Sequence, residues 1–251
     1  MSRITVIFHY GADQRIETPE VHDVISSYVG NGLYNFVVVD YADVNTISTG
    51  NANSIADGIT TSLINLFEFG YSSGLMSLVG FSLGAQIMAR ASRQVQDRSN
   101  RRHIVGRLTG LDPWALGPIN SITIGSLSPT DAQLVESIHT EGNSRGDHGS
   151  RGHVSFFVNG GVNQPWCSQT LPGNRADCSH IFALTVWAET ARSTTGVFPS
   201  LYCNSWSEFT AGLCNNNSMS YIGRTTANNL RGSYFLRTNN FPPFSRNTPF
   251  P

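Results

Sequence analysis

Hydrophobic and polar positions fall into two alternating rhythms along the first half of the chain. "RITVIF" (3–8) is a β-branched run that ends at His9 and a glycine-containing turn. "YNFVVVDY" (34–41) is nearly continuous in apolar residues, the pattern of a strand buried on both faces. Ile55, Ile59, Leu63, Leu66 and Phe67 then form one stripe of a helix over 54–69, with Asn53 or Ser54 as its N-cap. "GLMSLVG" (74–80) predicts a strand, "AQIMARASRQVQ" (85–96) a helix and "HIVGRLTGLD" (103–112) a further strand. This alternation predicts a mostly parallel central sheet with helices on both faces.

After residue 112 the rhythm loosens. "LVESIHT" (134–140) and "HVSFFVNGG" (153–161) read as strands, and "CSHIFALTVWAETARST" (178–194) reads as a helix with Leu184, Trp187, Ala188 and Ala191 on one face. The remainder is turn-rich. No internal repeat or linker interrupts the pattern, so residues 1–251 read as a single α/β domain.

Composition narrows the function classes. Charged residues make up 13% of the chain, against about 25% in an average domain. The net charge of -1 argues against a nucleic-acid partner. All basic residues are arginine, a bias with no evident physical reason. No apolar run reaches the roughly 18 residues of a transmembrane segment, and "MSRITVIFHY" lacks the features of a signal peptide. The four cysteines are Cys167, Cys178, Cys203 and Cys214, each neighbouring pair 11 positions apart. Their even number and close spacing favour two disulfides over a four-thiolate zinc site, each bond contributing roughly 2–3 kcal/mol. Disulfides imply an oxidising compartment. That conflicts with the missing leader, so a processed or truncated form is expected.

Candidate chemistry starts at "GYSSGLMSLVGFSLG" (70–84), which carries Gly-x-Ser-x-Gly around both Ser72 and Ser82; "GNSRG" repeats it around Ser144. A nucleophile elbow needs a strand, a sharp turn and a helix, with small residues beside the serine. Ser72 has the reverse order, and Ser144 lies in a polar, glycine-rich loop. Ser82 has the right order, with Gly80, Gly84 and Ala85 as small neighbours. The residues alone still allow a simple packing turn there.

A serine nucleophile needs a base, and in α/β-hydrolases the chain order is Ser, Asp or Glu, then His. Asp112, before Pro113, ends a later strand; it either orients a histidine or caps a turn. His139, His148, His153 and His180 follow it. His139 and His153 sit inside strand patterns, His148 in the loop and His180 at the mouth of a helix. On these grounds alone the choice stays open.

"VGFSLGAQIMARASR", "GRLTGLDP", "LSPTDAQLVESIHT", "GHVSFFVNGG", "QPWC" and "DCSH" occur in an order that resembles the animal pancreatic-lipase family of triacylglycerol lipases and phospholipases A1. "RGSYFLRTNNFPPF" (231–244) resembles the end of the catalytic domain in arthropod members. The resemblance implies an α/β-hydrolase fold without a C-terminal β-sandwich, and a chain lacking the family's N-terminal strands. It implies Ser82 as nucleophile, Asp112 as orienting acid and His180 as general base. It also implies an oxyanion hole from the Leu83 N–H and a second donor in "HYG" (9–11), Gly11 or Tyr10, where the family has His-Gly-aromatic.

Cys167–Cys178 resembles the bond at the base of the family's lid, and Cys203–Cys214 its second bond. The lid between Cys167 and Cys178, including Ser168, Leu171 and Asp177, is short, as in members that cleave the sn-1 ester of phospholipids. The family's calcium loop is reduced to Asp131, with Ser128 in the place of a first aspartate, so weak or no calcium binding is expected. No cofactor is implied. Expected partners are a phospholipid or neutral lipid at a peripheral membrane or lipid interface, in an extracellular setting. Trp114, Trp166 and Leu171 are candidates to line the acyl site. The implied activity is phospholipase A1, with triacylglycerol lipase or general esterase as alternatives. A different class remains: an inactive lipid-binding member resembling insect yolk proteins.

Overall fold

The first β-branched run becomes β1 (Thr5–His9), the strand around which the sheet is built. The computed structural model describes residues 3–40, 49–117, 124–169, 172–223 and 226–250. The further strands are β2 (Asn35–Val38), β3 (Met76–Phe81), β4 (Arg107–Leu111), β5 (Leu134–His139), β6 (Val154–Val158), β7 (Val197–Tyr202), β8 (Met219–Ile222) and β9 (Gly232–Leu236). The principal helices are α1 (Pro19–Asn31), α2 (Thr49–Glu68), α3 (Leu83–Arg98), α4 (Arg175–Arg192) and the short α5 (Trp206–Thr210).

Spatial order in the sheet is β2-β1-β3-β4-β5-β6-β9-β7-β8. Every pairing from β2 to β9 is parallel; β7 runs antiparallel to both β9 and β8. Chain direction across this order sets the layers. The step from β1 to β2 runs one way and the steps from β2 to β3 and β3 to β4 run the other. Right-handed crossovers therefore place α1 on one face and α2 with α3 on the opposite one. The packing agrees: α1 lies against α4, and α2 against α3. This is the α/β-hydrolase architecture that the alternation and the resemblance led us to expect.

Several expectations need correction. The apolar run at 34–41 is not buried on both faces. It forms the edge strand β2, with Val37 exposed, because only β1 pairs with it among the described residues; Tyr41 lies outside them. Helix α2 begins at Thr49, so Asn53 and Ser54 lie inside it rather than capping it. Its buried face includes Ala52 and Ala56, ahead of Ile59, Leu63 and Phe67. Helix α1 is an element beyond those the alternation predicts: Pro19 opens it, Val21, Val24 and Tyr28 are buried along it, and Gly32 closes it at φ 61°. The turn-rich C-terminal part holds three strands, and β9 inserts between β6 and β7, a neighbour that no local pattern announces.

The main core fills both faces of the sheet around Phe8, Leu78, Ile87, Leu108, Phe156 and Phe182, all 2% exposed or less. A smaller cluster of Phe157, Leu201, Phe209 and Phe235 packs around Cys203 and Cys214, which form a disulfide.

Candidate active site

Parallel strands deliver their C-terminal ends to one rim of the sheet, and the residues just past β1, β3, β4 and β5 meet there. Ser82 follows β3 and precedes α3 at φ 55°, ψ -124°, a conformation costly for a residue with a side chain. Its N–H donates to the Leu111 carbonyl (3.0 Å), while its own carbonyl accepts the N–H groups of Ala85 (3.1 Å) and Trp114 (3.2 Å). The tight turn explains the small neighbours. A Cβ at Gly80 would stand 2.4 Å from the Gly84 carbonyl oxygen, and one at Gly84 would stand 2.5 Å from that of Tyr10.

Asp112 follows β4, fully buried and also at positive φ (40°). Its Oδ1 accepts the main-chain N–H groups of Thr140 (2.7 Å) and Glu141 (3.0 Å), just past β5. Its Oδ2 lies 2.6 Å from Nδ1 of His180. An ionised carboxylate only accepts, so Nδ1 carries the proton and Nε2 is left as an acceptor. The Ser82 hydroxyl lies 2.8 Å from that Nε2 and donates to it. Three side chains remote in sequence thus form one hydrogen-bonded relay. The His180 ring also rests on Phe81, centroids 4.7 Å apart. Helix α4 starts at Arg175, earlier than its sequence pattern suggests, so His180 sits in its second turn, held near its start by the Cys167–Cys178 disulfide.

The competing residues are engaged elsewhere. The Ser144 hydroxyl donates to Oε2 of Glu141 (3.2 Å), and Ser72 stands at the N-cap position of a single 3₁₀ turn, ahead of β3 rather than behind it. His139 bonds the Asp147 carbonyl (2.6 Å) and the Ser137 hydroxyl (2.8 Å) and stacks on Phe157; burial holds its pKa below the usual histidine value. His153 accepts the Val135 N–H (3.0 Å), and burial, then Arg231, lowers its pKa. His148 packs beside Phe157. Past β1, His9 is fully buried with Nδ1 against the Tyr10 carbonyl (2.6 Å), and burial lowers its pKa to about 4.

Leu83 is the first residue of α3, where main-chain N–H groups have no partner within the helix. Gly11 lies against the nucleophile turn: a Cβ there would stand 3.1 Å from that of Ser82. Its N–H donates to Oε1 of Gln14 (3.3 Å). The Tyr10 side chain turns away, its hydroxyl donating to Oδ1 of Asp40 (2.6 Å).

Ser82 and His180 open onto a cavity of about 420 Å³. Its apolar wall is Phe81, Leu83, Trp114, Ile181 and Ala12; its polar wall is Asp13, Gln14, Arg145 and Asp177. Arg145 and Asp177, both half-exposed, form an ion pair. Ala12, Asp13, Gln14, Phe81, Arg145 and Ile181 are not singled out in the sequence; Ala12, Phe81, Arg145 and Ile181 adjoin the named residues Gly11, Ser82, Ser144 and His180, while Asp13 and Gln14 carry no such signal. Of the lid residues, Ser168 is exposed and Asp177 lines the cavity, while Leu171 lies outside the described residues. Trp166 is not in the cavity wall and packs edge-on against Phe241 and Phe244.

Asp131 is fully buried, and both its oxygens are bound by Arg93, Nε to Oδ1 at 2.9 Å and Nη2 to Oδ2 at 3.0 Å. The Ser128 N–H adds a third bond to Oδ2 (2.8 Å). Burial raises the Asp131 pKa and Arg93 opposes the shift. The guanidinium thus fills the position a cation would need, and this donor set does not fit calcium. No helix among the described residues is long and apolar enough to cross a membrane.

Comparison with known proteins gives a consistent set. A model of the family described as Lipase matches residues 2–244. The chain is 31% identical over 176 residues to pancreatic triacylglycerol lipase of Mus musculus, covering 61% of this chain and 36% of that protein. It is 27% identical over 226 residues to lipase member H of Xenopus tropicalis, covering 85% and 47%. Phospholipase A1 member A of Bos taurus is 29% identical over 188 residues, covering 72% and 39%. The chain therefore spans less than half the length of these relatives.

Proposed function

Because the chain belongs to the Lipase family, we propose that it is a serine carboxylester hydrolase acting on lipids, with residues 1–251 forming one catalytic domain. One observation carries the reading: His180 joins the Ser82 hydroxyl at 2.8 Å to the Asp112 carboxylate at 2.6 Å. Such a relay lets the imidazole take the serine proton as Oγ attacks an ester carbonyl. Asp112 holds the productive tautomer and stabilises the imidazolium. The Leu83 N–H and, from the turn after β1, the Gly11 N–H bind the developing oxyanion. His180 then protonates the departing alcohol, and water resolves the acyl-enzyme by the reverse roles.

Within this class the reading is phospholipase A1. Its support is the short segment of ten residues between Cys167 and Cys178, "SQTLPGNRAD", which leaves little chain to cover the cavity. The named relatives include both a phospholipase A1 and a triacylglycerol lipase, so substrate preference is the point under test. The two disulfides favour an extracellular setting.

One observation favours the inactive, lipid-binding reading: the Gly11 N–H is occupied by Gln14, which an oxyanion must displace. Turnover of p-nitrophenyl butyrate decides between the two. A hydrolase loses this activity in Ser82→Ala with its fold retained; absence of Ser82-dependent turnover in the folded parent chain removes the hydrolase reading. Release of the sn-1 acyl chain from a mixed-chain phospholipid, compared with tributyrin hydrolysis, separates phospholipase from triacylglycerol lipase.

A further inference from the structure

We infer that Arg145, Asp177 and Asp13 are the head-group rim of the cavity, selecting lipids whose polar end is a zwitterionic phosphodiester. This rests on the ester-hydrolase reading and extends it to the other end of the substrate. Histidine apart, these three are the ionisable side chains among the described residues that line the cavity with Ser82. They supply one guanidinium and two carboxylates. Arg145 and Asp177 pair with each other while half-exposed to water, so the pair is held weakly and a ligand can exchange it.

The chemistry of that exchange is specific. A phosphodiester presents two oxygens to the planar donor fork of Arg145, and an ammonium beside it takes the released Asp177 together with Asp13. Arg145 then faces the phosphodiester, and the two carboxylates share the ammonium. A net-anionic head group gains the guanidinium but meets two carboxylates, and discrimination arises from that repulsion. An uncharged glyceride leaves the Arg145–Asp177 pair closed and gains nothing from it.

The loop that carries Arg145 does not depend on its side chain. The Arg145 N–H donates to Oε2 of Glu141 (2.8 Å), and its carbonyl accepts the Ala115 N–H (2.9 Å). Substitution at 145 therefore alters the rim while the loop stays anchored.

The test compares kcat/KM on mixed micelles of phosphatidylcholine, phosphatidylglycerol and tributyrin, with p-nitrophenyl butyrate as a reference ester. The parent chain is expected to favour phosphatidylcholine over phosphatidylglycerol by about tenfold or more. Arg145→Gln is expected to lower the ratio of phosphatidylcholine to tributyrin activity about tenfold, and Arg145→Lys by less, since lysine keeps the charge but not the fork. The double variant Asp13→Asn, Asp177→Asn is expected to move the preference toward phosphatidylglycerol. An equal fall on phosphatidylcholine and tributyrin in Arg145→Gln, or a parent preference for phosphatidylglycerol, overturns the head-group assignment and leaves the hydrolase reading standing. Absence of Ser82-dependent cleavage of p-nitrophenyl butyrate overturns both.

Discussion

The Thr140 main-chain N–H lies 2.7 Å from Oδ1 of Asp112, while His180 takes the other oxygen at 2.6 Å. This division of the carboxylate predicts the outcome of its most conservative replacement. In Asp112→Asn the amide oxygen stays with the Thr140 and Glu141 N–H groups, because only it can accept. The amide NH₂ then faces Nδ1 of His180, which must become the acceptor, and the ring proton moves to Nε2. The Ser82 hydroxyl loses its base. The expected loss in kcat is about 10⁴-fold with an unchanged melting temperature, read by steady-state kinetics on p-nitrophenyl butyrate and by thermal unfolding.

Gly146 presses on the same carboxylate. A Cβ there would stand 2.5 Å from Oδ2 of Asp112 and 2.3 Å from the Glu141 carbonyl oxygen. Gly146→Ala is therefore expected to push Asp112 off His180 and to cost about 1–3 kcal/mol of stability. Activity should fall by 10²-fold or more, on the order of what a 1 Å misplacement costs. A urea titration alongside kinetics checks this; full activity in a destabilised variant would show that the carboxylate is not what yields.

Arg93 is bidentate on buried Asp131. Removing it in Arg93→Ala leaves a carboxylate stranded without its cation, expected to cost about 3–5 kcal/mol. Asp131→Asn in the same background restores part of that loss, because the neutral amide tolerates burial. Added calcium is expected to leave the melting temperature of the parent chain unchanged. Differential scanning calorimetry of the three proteins, with and without calcium, reads all of these outcomes.

His9 gives the acid limit of stability a named contributor. Its folded pKa of about 4 lies below the unfolded value of 6.5, and burial is the cause. Below pH 6.5 the unfolded chain binds a proton that the folded chain refuses until about pH 4. Stability from this group is thus complete above pH 6.5 and falls as pH drops through that window, by about 3 kcal/mol in all. Buried His139 shifts in the same direction. Urea midpoints between pH 7.5 and 4 should fall less steeply in His9→Gln than in the parent chain; parallel slopes would remove His9 from the account.

Legibility in the sequence followed how local the determining physics is. The elbow at Ser82 could be read because strand, turn and helix adjoin in the chain and the close approach of β3 to α3 demands Gly80 and Gly84. Helix α1 carries its own signals, Pro19 at its start and Gly32 beyond its end. The burial of residues 35–38 was misjudged because apolar content does not say where in a sheet a strand sits. β9 was invisible because its place between β6 and β7 depends on residues tens of positions away.

At the site, four histidines looked alike in the sequence, and resemblance rather than spacing singled out His180. Its contact with Ser82 requires α4 to cross from a remote part of the chain. Asp177 was placed only as part of the lid segment, and its pairing with Arg145 bore no pattern, since an ion pair across a cavity mouth needs only two charges brought together by the fold. Arg93 was legible as a helical arginine, and the burial of its partner was not.

Ser82 keeps its φ of 55° because Leu111, at the end of β4, and Trp114, just past it, fasten its main-chain N–H and carbonyl. The turn is therefore a standing debt against durability, roughly 1 kcal/mol or more, incurred once when the chain folds and never again at each cycle. A glycine at this position would release it, giving a hardier but inert molecule. Heat resistance in this scaffold must come from places other than its reactive turn, since the conformation that aims the hydroxyl is the same one that weakens the whole.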